Sequence, residues 1–261
     1  MQKSKKHDIM EEKEIFMDKI EELQEYVDQA KNIVFFGGAG VSTESGIPDF
    51  RSVDGLYNQK WDYPPEEILS ANFFYSNPKE FYRFYREKIL VEGIKPNAAH
   101  LKLAELEQKG KLSAVITQNI DGLHQAAGSK NVLELHGSVL RNHCPKCGSF
   151  YDLDYMIKHK DSHGLPICKT PGCESIIKPD VVLYGENLDE DVISKTLSAL
   201  RSADLLIIGG TSLTVYPAAG FIRAYTGDRL VLINRDATTS DSIASLVIHD
   251  SIGKVLSQIK A

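Results

Sequence analysis

Short runs of consecutive apolar residues alternate along the chain with amphipathic stretches. The apolar runs end in glycine or in polar residues, and they fall within residues 31–40, 111–119, 203–212 and 229–234. Runs of this length without polar alternation are typical of strands buried on both faces of a parallel sheet. Between two of them, residues 97–109 space their apolar side chains as a helix does, and Asn97 is a suitable N-cap. The pattern predicts an α/β fold built on a Rossmann-like, doubly wound parallel sheet.

Three segments depart from this alternation. Residues 1–29 have the pattern of a helix, and residues 51–95 are rich in aromatic side chains and predict a helical lid. Residues 140–178 hold all four cysteines and three prolines, which predicts a small inserted module. We therefore expect one catalytic domain over residues 1–261. Its Rossmann-like part is expected to comprise residues 25–50, 96–139 and 179–261.

Composition narrows the class of protein. The chain has 261 residues, of which 42% are hydrophobic and 25% charged, as in ordinary globular proteins. A formal charge of −6 offers no electrostatic reason to expect a nucleic-acid partner. No apolar run approaches the roughly 20 residues that span a bilayer, and the first residues lack the apolar stretch of a signal peptide. We expect no membrane partner and a cytoplasmic location, and nothing in the sequence implies an oligomer.

The four cysteines form two closely spaced pairs, Cys144 with Cys147 and Cys168 with Cys173. Two such pairs can place four thiolates around one tetrahedral Zn²⁺, although the second pair has a longer spacing than the commonest zinc knuckle. Two disulfides or four inert thiols are the alternatives, and a reducing compartment disfavours the disulfides. Because four sulfur ligands leave no open coordination position, we expect the zinc ion to be structural.

A glycine-rich turn, Gly37–Ser42, follows the first predicted strand directly. Glycines let the backbone approach a pyrophosphate, and the N-terminus of a following helix attracts its charge. The third glycine of the dinucleotide fingerprint is missing, since position 43 is Thr43. No acidic residue ends a second strand about 20 residues further on, as dehydrogenases require for the ribose. The turn taken alone fits either a dinucleotide or no ligand, and a hydride-transfer enzyme is disfavoured.

This turn continues as GAGVSTESGIPDFRSVDGLY (38–57), which resembles the first signature of the sirtuin family. TQNIDGLH (117–124) is similar to the second signature, and further family motifs follow in order at 134–138, 178–186, 210–219 and 232–236. The resemblance, to sirtuins of bacterial type, covers residues 25–255. It implies an NAD-dependent deacetylase that removes acetyl or other neutral acyl groups from lysine side chains and releases nicotinamide and O-acetyl-ADP-ribose. It also implies NAD as cosubstrate, one structural Zn²⁺ and an acetylated-lysine protein or peptide as partner.

The resemblance further assigns roles to single residues. His136 is implied as the general base, Asn119 as the residue that orders the ribose hydroxyls and a water, and Ile120 with Asp121 as the holders of the nicotinamide carboxamide. A carboxylate suits that task because it accepts the two N–H donors of an amide. Taken without the family, the 117–124 segment fits equally a polar turn that caps its own backbone. The other implied NAD contacts are Ala39, Thr43, Phe50, Arg51, Gln118, Thr211, Ser212, Asn234 and Ile252, with Phe50 shielding the reacting ribose and Arg51 pairing with phosphate.

Residues 178–186 contain the β-branched run of a strand, and we expect this strand to leave a free edge beside the cleft; an ordinary paired strand is the alternative. An extended peptide could add there as a further strand, with main-chain bonds that give affinity without demanding a particular sequence. The resemblance implies that the peptide lies between residues 182–186 and 213–216. Its expected contacts are Val182, Tyr184, Gly185, Glu186, Leu213 and Val215. Sirtuins that prefer succinyl or malonyl groups carry a Tyr-x-x-Arg pair in the lid, and here Tyr85 is followed by Lys88. We therefore expect neutral acyl groups to be preferred. A protein ADP-ribosyltransferase and a non-enzymatic nucleotide-binding or zinc-stabilised module remain the alternatives.

Overall fold

The structure is a computed structural model that describes residues 2–50, 55–58, 60–91 and 93–261, with side chains from residue 13 onward. The strands in chain order are β1 (Ile33–Gly37), β2 (Leu112–Thr117), β3 (Val132–Glu134), β4 (Gly137–His143), β5 (Phe150–Asp152), β6 (Lys178–Val181), β7 (Leu205–Gly209), β8 (Leu230–Asn234) and β9 (Leu246–His249). The α-helices are α1 (Gln2–Gln29), α2 (Pro65–Ile68), α3 (Ala71–Ser76), α4 (Pro78–Phe84), α5 (Ala98–Gln108), α6 (Leu123–Ala126), α7 (Leu153–Lys158), α8 (Glu190–Ser202) and α9 (Ile252–Gln258). A π-helical turn, Tyr85–Ile89, continues α4, and short 3₁₀ turns lie at Ala39–Val41, Thr43–Ser45, Leu56–Asn58, Ala218–Ala224 and Asp241–Ile243.

Within the described residues, a six-stranded sheet has the order β3-β2-β1-β7-β8-β9, and each pairing is parallel. The order reverses direction between β1 and β7, which is the switch point of a doubly wound fold. The predicted parallel sheet is confirmed, with each of the four apolar runs forming one of its strands. None of the described helices combines the length and apolar character needed to cross a bilayer.

Both faces of this sheet are covered, which explains why its strands lack polar alternation. In β1, Ile33 and Phe35 pack in the core formed with α1, α5 and α9, whereas Val34 and Phe36 face the core on the α8 side. The predicted helix after Asn97 is also confirmed. The Asn97 side chain accepts hydrogen bonds from the N–H groups of Ala99 and His100 and so caps α5.

The helical lid and the zinc module (residues 140–178) share one hydrophobic core. Phe81 and Tyr82 of α4 belong to it together with Met156 of α7 and Ile177 next to β6. The Tyr82 hydroxyl, which is buried, donates a hydrogen bond to the Ile177 carbonyl. A three-stranded antiparallel sheet with the order β5-β4-β6 lies partly in this module and extends beyond both of its ends. The two inserted segments therefore pack against each other beside the large sheet, while the domain boundaries remain predictions.

One expectation is wrong in part. The segment 178–186 was expected to form a strand with a free edge for the peptide, but β6 ends at Val181. The backbone of Tyr184 is already paired, because its N–H donates to Leu69 (2.9 Å) and its carbonyl accepts from Ala71 (3.0 Å). The edge is therefore interrupted at Tyr184 by the chain that leads from α2 into α3.

Candidate active site

The carboxyl ends of β1, β2, β7 and β8 open into a cavity of about 530 Å³, a volume typical of small-molecule sites. Eleven of the predicted NAD contacts line it: Ala39, Phe50, Gln118, Asn119, Ile120, Asp121, His136, Thr211, Ser212, Asn234 and Ile252. The predicted peptide contacts Val182, Tyr184, Gly185, Glu186 and Val215 line the same cavity. Thr43 and Leu213 are absent from its lining, and Thr43 instead accepts a hydrogen bond from Arg235. Arg51 lies outside the described residues.

The glycine-rich turn meets the turn after β7 at backbone distance. The Gly40 N–H donates to the Gly210 carbonyl at 2.8 Å, and a Cβ at Gly40 would lie 2.7 Å from the Gly210 Cα. Gly210 has a φ of +61°, a conformation that side chains disfavour. Glycine at both positions therefore lets two strand ends converge on one side of the cavity. This forms a cradle of backbone groups that suits a pyrophosphate.

A chain of side-chain hydrogen bonds crosses the floor of the cavity from β2 to β8. The Gln118 amide donates to the Thr211 hydroxyl (2.9 Å), and the Thr211 N–H donates to the Asn234 side chain (3.0 Å). The Asn234 amide in turn donates to the Thr211 carbonyl (3.0 Å). These reciprocal bonds fix three predicted NAD contacts relative to each other.

Ser42 connects two predicted catalytic residues. Its hydroxyl, which is buried, donates to the Asp121 carboxylate at 2.7 Å and accepts from the Asn119 amide at 3.0 Å. The second Asp121 oxygen accepts from the Leu123 N–H at 2.9 Å, at the start of α6. Residues from the β1 and β2 ends are thereby held in a fixed arrangement at the inner end of the cavity. No role was predicted for Ser42 from the sequence.

His136 lies between β3 and β4, with its ring half-buried in the cavity wall. Its Nδ1 lies 3.0 Å from the Gln118 carbonyl oxygen. Because a carbonyl can only accept, Nδ1 carries the proton and Nε2 of the neutral ring is left as an acceptor. Burial lowers the pKa of His136 below 6.5, so the imidazole is neutral at pH 7. This is the protonation state that a general base needs.

A second pair of histidines lies beneath this network. His100 and His124 are fully buried, with ring centroids 4.7 Å apart. Burial lowers the pKa of His100 to about 4 and that of His124 to about 3. The His100 Nδ1 accepts a hydrogen bond from the Asn97 N–H and completes the capping box of α5. Both rings are therefore neutral parts of the core.

Phe50 lines the cavity, and its ring packs against that of Tyr57 with centroids 5.5 Å apart. The hydroxyl of Tyr57 is hydrogen-bonded to that of Tyr184 at 2.6 Å. Deeper in the cavity, Tyr85 is fully buried, and its hydroxyl has no hydrogen-bond partner within the described part of the chain. Lys88 also lines the cavity, with its ammonium 3.7 Å from the Glu87 carboxylate.

The four cysteines converge outside this cavity. Their sulfur atoms all lie within 4.8 Å of one another, with Cys144 and Cys173 3.4 Å apart and Cys147 and Cys168 3.5 Å apart. A tetrahedral zinc ion with Zn–S bonds of about 2.3 Å requires sulfur separations of about 3.8 Å. All four thiols are free. The cluster therefore fits the predicted structural zinc site.

The fold and the cavity together define a Rossmann-like nucleotide-binding protein with an added cysteine cluster for a metal. The sequence model of the Sir2 family matches residues 38–217. A protein of Clostridium acetobutylicum named NAD-dependent protein deacetylase is 56% identical over 247 residues, which cover 94% of this chain and 99% of that protein. A protein of the same name from Clostridium perfringens is 57% identical over 245 residues, covering 93% of this chain and 98% of that protein. The chain belongs to the Sir2 family.

Solved structures agree with this assignment. A Sir2 structure with a p53 peptide and NAD⁺ has a TM-score of 0.80 and 41% identity, and the match covers 91% of this chain and 95% of that one. A Sir2 structure bound to acetylated peptide has a TM-score of 0.81 and 40% identity, with the same two coverages. The predicted family and fold class are confirmed.

Proposed function

We propose that this protein is an NAD-dependent protein-lysine deacetylase that releases nicotinamide and O-acetyl-ADP-ribose. The observation that carries the proposal is one cavity that brings together a neutral imidazole, the Asn119–Ser42–Asp121 network and the predicted peptide segment. The names of the bacterial relatives and the peptide and NAD⁺ bound to similar structures support it.

The lining of the cavity fits NAD along its length. The glycine cradle between Gly40 and Gly210 suits the pyrophosphate, and the Gln118–Thr211–Asn234 chain presents polar atoms to ribose hydroxyls. When bound, NAD supplies an ADP-ribosyl group whose bond to nicotinamide can be broken. Ser42 holds Asn119 and Asp121 at the end of the cavity where nicotinamide would lie. Asp121 would accept the N–H donors of the carboxamide, and Ile120 would contact the same group.

His136 would act on the ribose hydroxyl that captures the acetyl group. Its Nδ1–H donates a hydrogen bond to the Gln118 carbonyl, so Nε2 is the atom that would accept the proton of the hydroxyl. The lowered pKa keeps this atom unprotonated at neutral pH. Phe50 would cover the nicotinamide end and exclude water, which would otherwise consume NAD without removing an acetyl group.

The peptide would lie beside Val182, Tyr184, Gly185, Glu186 and Val215. The Gly185 N–H has no hydrogen-bond partner in the described ranges, so it is available to a peptide carbonyl. The acyl chain would extend toward the inner wall, which is mainly apolar and includes Leu56, Leu69, Tyr85, Val139, Val181 and Leu183. Such a wall suits an acetyl group.

We place the protein in the cytoplasm, where the reducing environment keeps the four clustered thiols available for zinc. With four thiolates as ligands, the ion would have no open position for a substrate, so its role would be structural. It would stabilise the zinc module and, through the shared core, the lid.

The proposal is tested by incubating the full-length, zinc-loaded protein with NAD and an acetylated peptide. Mass spectrometry should detect O-acetyl-ADP-ribose, with one nicotinamide released for each lysine deacetylated. His136→Ala should lower turnover by about 10²- to 10⁴-fold, the usual contribution of a general base, while calorimetry shows NAD binding retained. The matched control is His163→Ala, because His163 is exposed and lies outside the cavity.

Two results would count against the proposal. ADP-ribose attached to a protein, with the acetyl-lysine unchanged, would indicate a transferase that labels protein. Unchanged turnover in His136→Ala would mean that the imidazole is not the base.

A further inference from the structure

Two tyrosines that line the cavity, Tyr57 and Tyr184, are joined through their side chains. Tyr57 lies in the 3₁₀ turn Leu56–Asn58, and Tyr184 follows β6 in the predicted peptide segment. Their hydroxyl oxygens are 2.6 Å apart and share a hydrogen bond. The two residues are 127 positions apart in sequence, so the bond connects two separate segments of the chain.

On one side, Tyr57 is attached to Phe50 in two ways. The Tyr57 N–H donates to the Phe50 carbonyl at 2.9 Å, and the two rings pack with centroids 5.5 Å apart. The neighbouring Leu56 N–H donates to the Asp49 carbonyl at 2.8 Å. A displacement of Tyr57 would therefore displace Phe50, the residue expected to cover the nicotinamide.

On the other side, Tyr184 is fixed in the wall that would bind the peptide. Both of its backbone groups are hydrogen-bonded, to Leu69 and Ala71, so the backbone has little freedom. Its side chain is 42% exposed and lines the cavity next to Gly185. Within the described residues, the Tyr184 hydroxyl is hydrogen-bonded to Tyr57 and to no other group.

We infer that the Tyr57–Tyr184 hydroxyl bond is a positioning device that holds Phe50 over the reacting end of NAD by fastening it to the peptide wall. Tyr57 and Tyr184 are then positioning residues that act through Phe50. The inference rests on the proposed deacetylase function. The bond would also make the peptide wall help to exclude water from the ribose, because Tyr184 belongs to that wall and is bonded to the tyrosine that positions Phe50.

The test is steady-state kinetics of Tyr184→Phe, which removes one oxygen atom and keeps the ring. We expect KM for NAD to rise about two- to tenfold, the equivalent of one hydrogen bond. We also expect more than one nicotinamide released per lysine deacetylated, because water reaches the ribose. Tyr57→Phe should reproduce both effects, and it supplies the same test should Tyr184→Phe fail to fold. The double variant should be no worse than either single variant.

The matched control is Tyr75→Phe, because Tyr75 is 64% exposed and lies outside the cavity lining. The inference is overturned if Tyr184→Phe keeps both the NAD KM and a one-to-one product ratio. It is equally overturned if only the peptide KM changes, or if the effects of the two single variants add. A wild-type protein that fails to deacetylate the peptide would overturn the proposed function, and this inference with it.

Discussion

Replacing Ser42 with alanine should impair the reaction far more than the loss of one small side chain suggests. The Ser42 hydroxyl donates to a carboxylate at 2.7 Å and accepts from the Asn119 amide at 3.0 Å. A bond to a charged group contributes about 1.5–3 kcal/mol, and a neutral one about 0.5–1.5 kcal/mol. Losing both bonds should cost about 2–4.5 kcal/mol. If this cost falls on the transition state, kcat/KM for NAD should fall about 30- to 2,000-fold.

The assay compares Ser42→Ala with wild type in kcat/KM for NAD and in the free energy of unfolding in urea. Ser257→Ala is the matched control, because Ser257 is exposed on α9 and, among the described residues, its hydroxyl donates only to the Lys254 carbonyl. The reasoning would be refuted if folded Ser42→Ala kept kcat/KM within threefold of wild type. Asn119 and Asp121 would then hold their positions without the serine.

Three further predictions concern the metal, the pH and the acyl group. Removal of zinc by a chelator, or the substitution Cys147→Ser, should lower both the melting temperature and the rate of deacetylation. The reason is that binding of a structural zinc ion contributes about 10 kcal/mol or more to the stability of the fold. A zinc-free protein that stays folded and active would contradict this. Stability should fall as the pH drops below 6.5, by about 1.4 kcal/mol per pH unit for each of His100 and His124, because burial lowers both pKa values in the folded state and the unfolded chain binds more protons. Urea unfolding from pH 7 to 5 should show a shallower slope in His124→Leu, and equal slopes would exclude the histidine as the cause. Turnover on an acetylated peptide should exceed that on its succinylated form, since Lys88 lies beside Glu87 and cannot form the bidentate pair of an arginine; faster desuccinylation would reverse this expectation.

The large sheet could be predicted from the sequence because the burial of a strand on both faces appears as a local run of apolar residues. Each apolar run had to be buried on both faces, and β1 does so by directing Phe35 to one core and Phe36 to the other. The position of the cavity follows from the same reasoning, since parallel strands bring their carboxyl ends to one edge. The cap at Asn97 was also predictable, because capping depends on residues only two or three positions away.

Contacts between distant segments were not predictable from the sequence. Ser42 belongs to the glycine-rich turn Gly37–Ser42, but its role depends on the ends of β1 and β2 meeting at hydrogen-bond distance. The interrupted edge at Tyr184 has a similar origin, because its partners Leu69 and Ala71 come from the lid. Periodicity describes which face a side chain occupies and carries no information about which distant backbone group it will meet.

The backbone contact between Gly40 and Gly210 limits how this chain can vary. A methyl group at Gly40 would meet the Gly210 Cα at 2.7 Å, and one at Gly210 would meet the Val41 nitrogen at 2.4 Å. Neither neighbour is a side chain that could rotate away, so even alanine would push the two turns apart. Gly148 and Gly172, by contrast, have open space around them. In a library of all single substitutions, the first two positions should admit glycine alone, whereas the other two should tolerate asparagine.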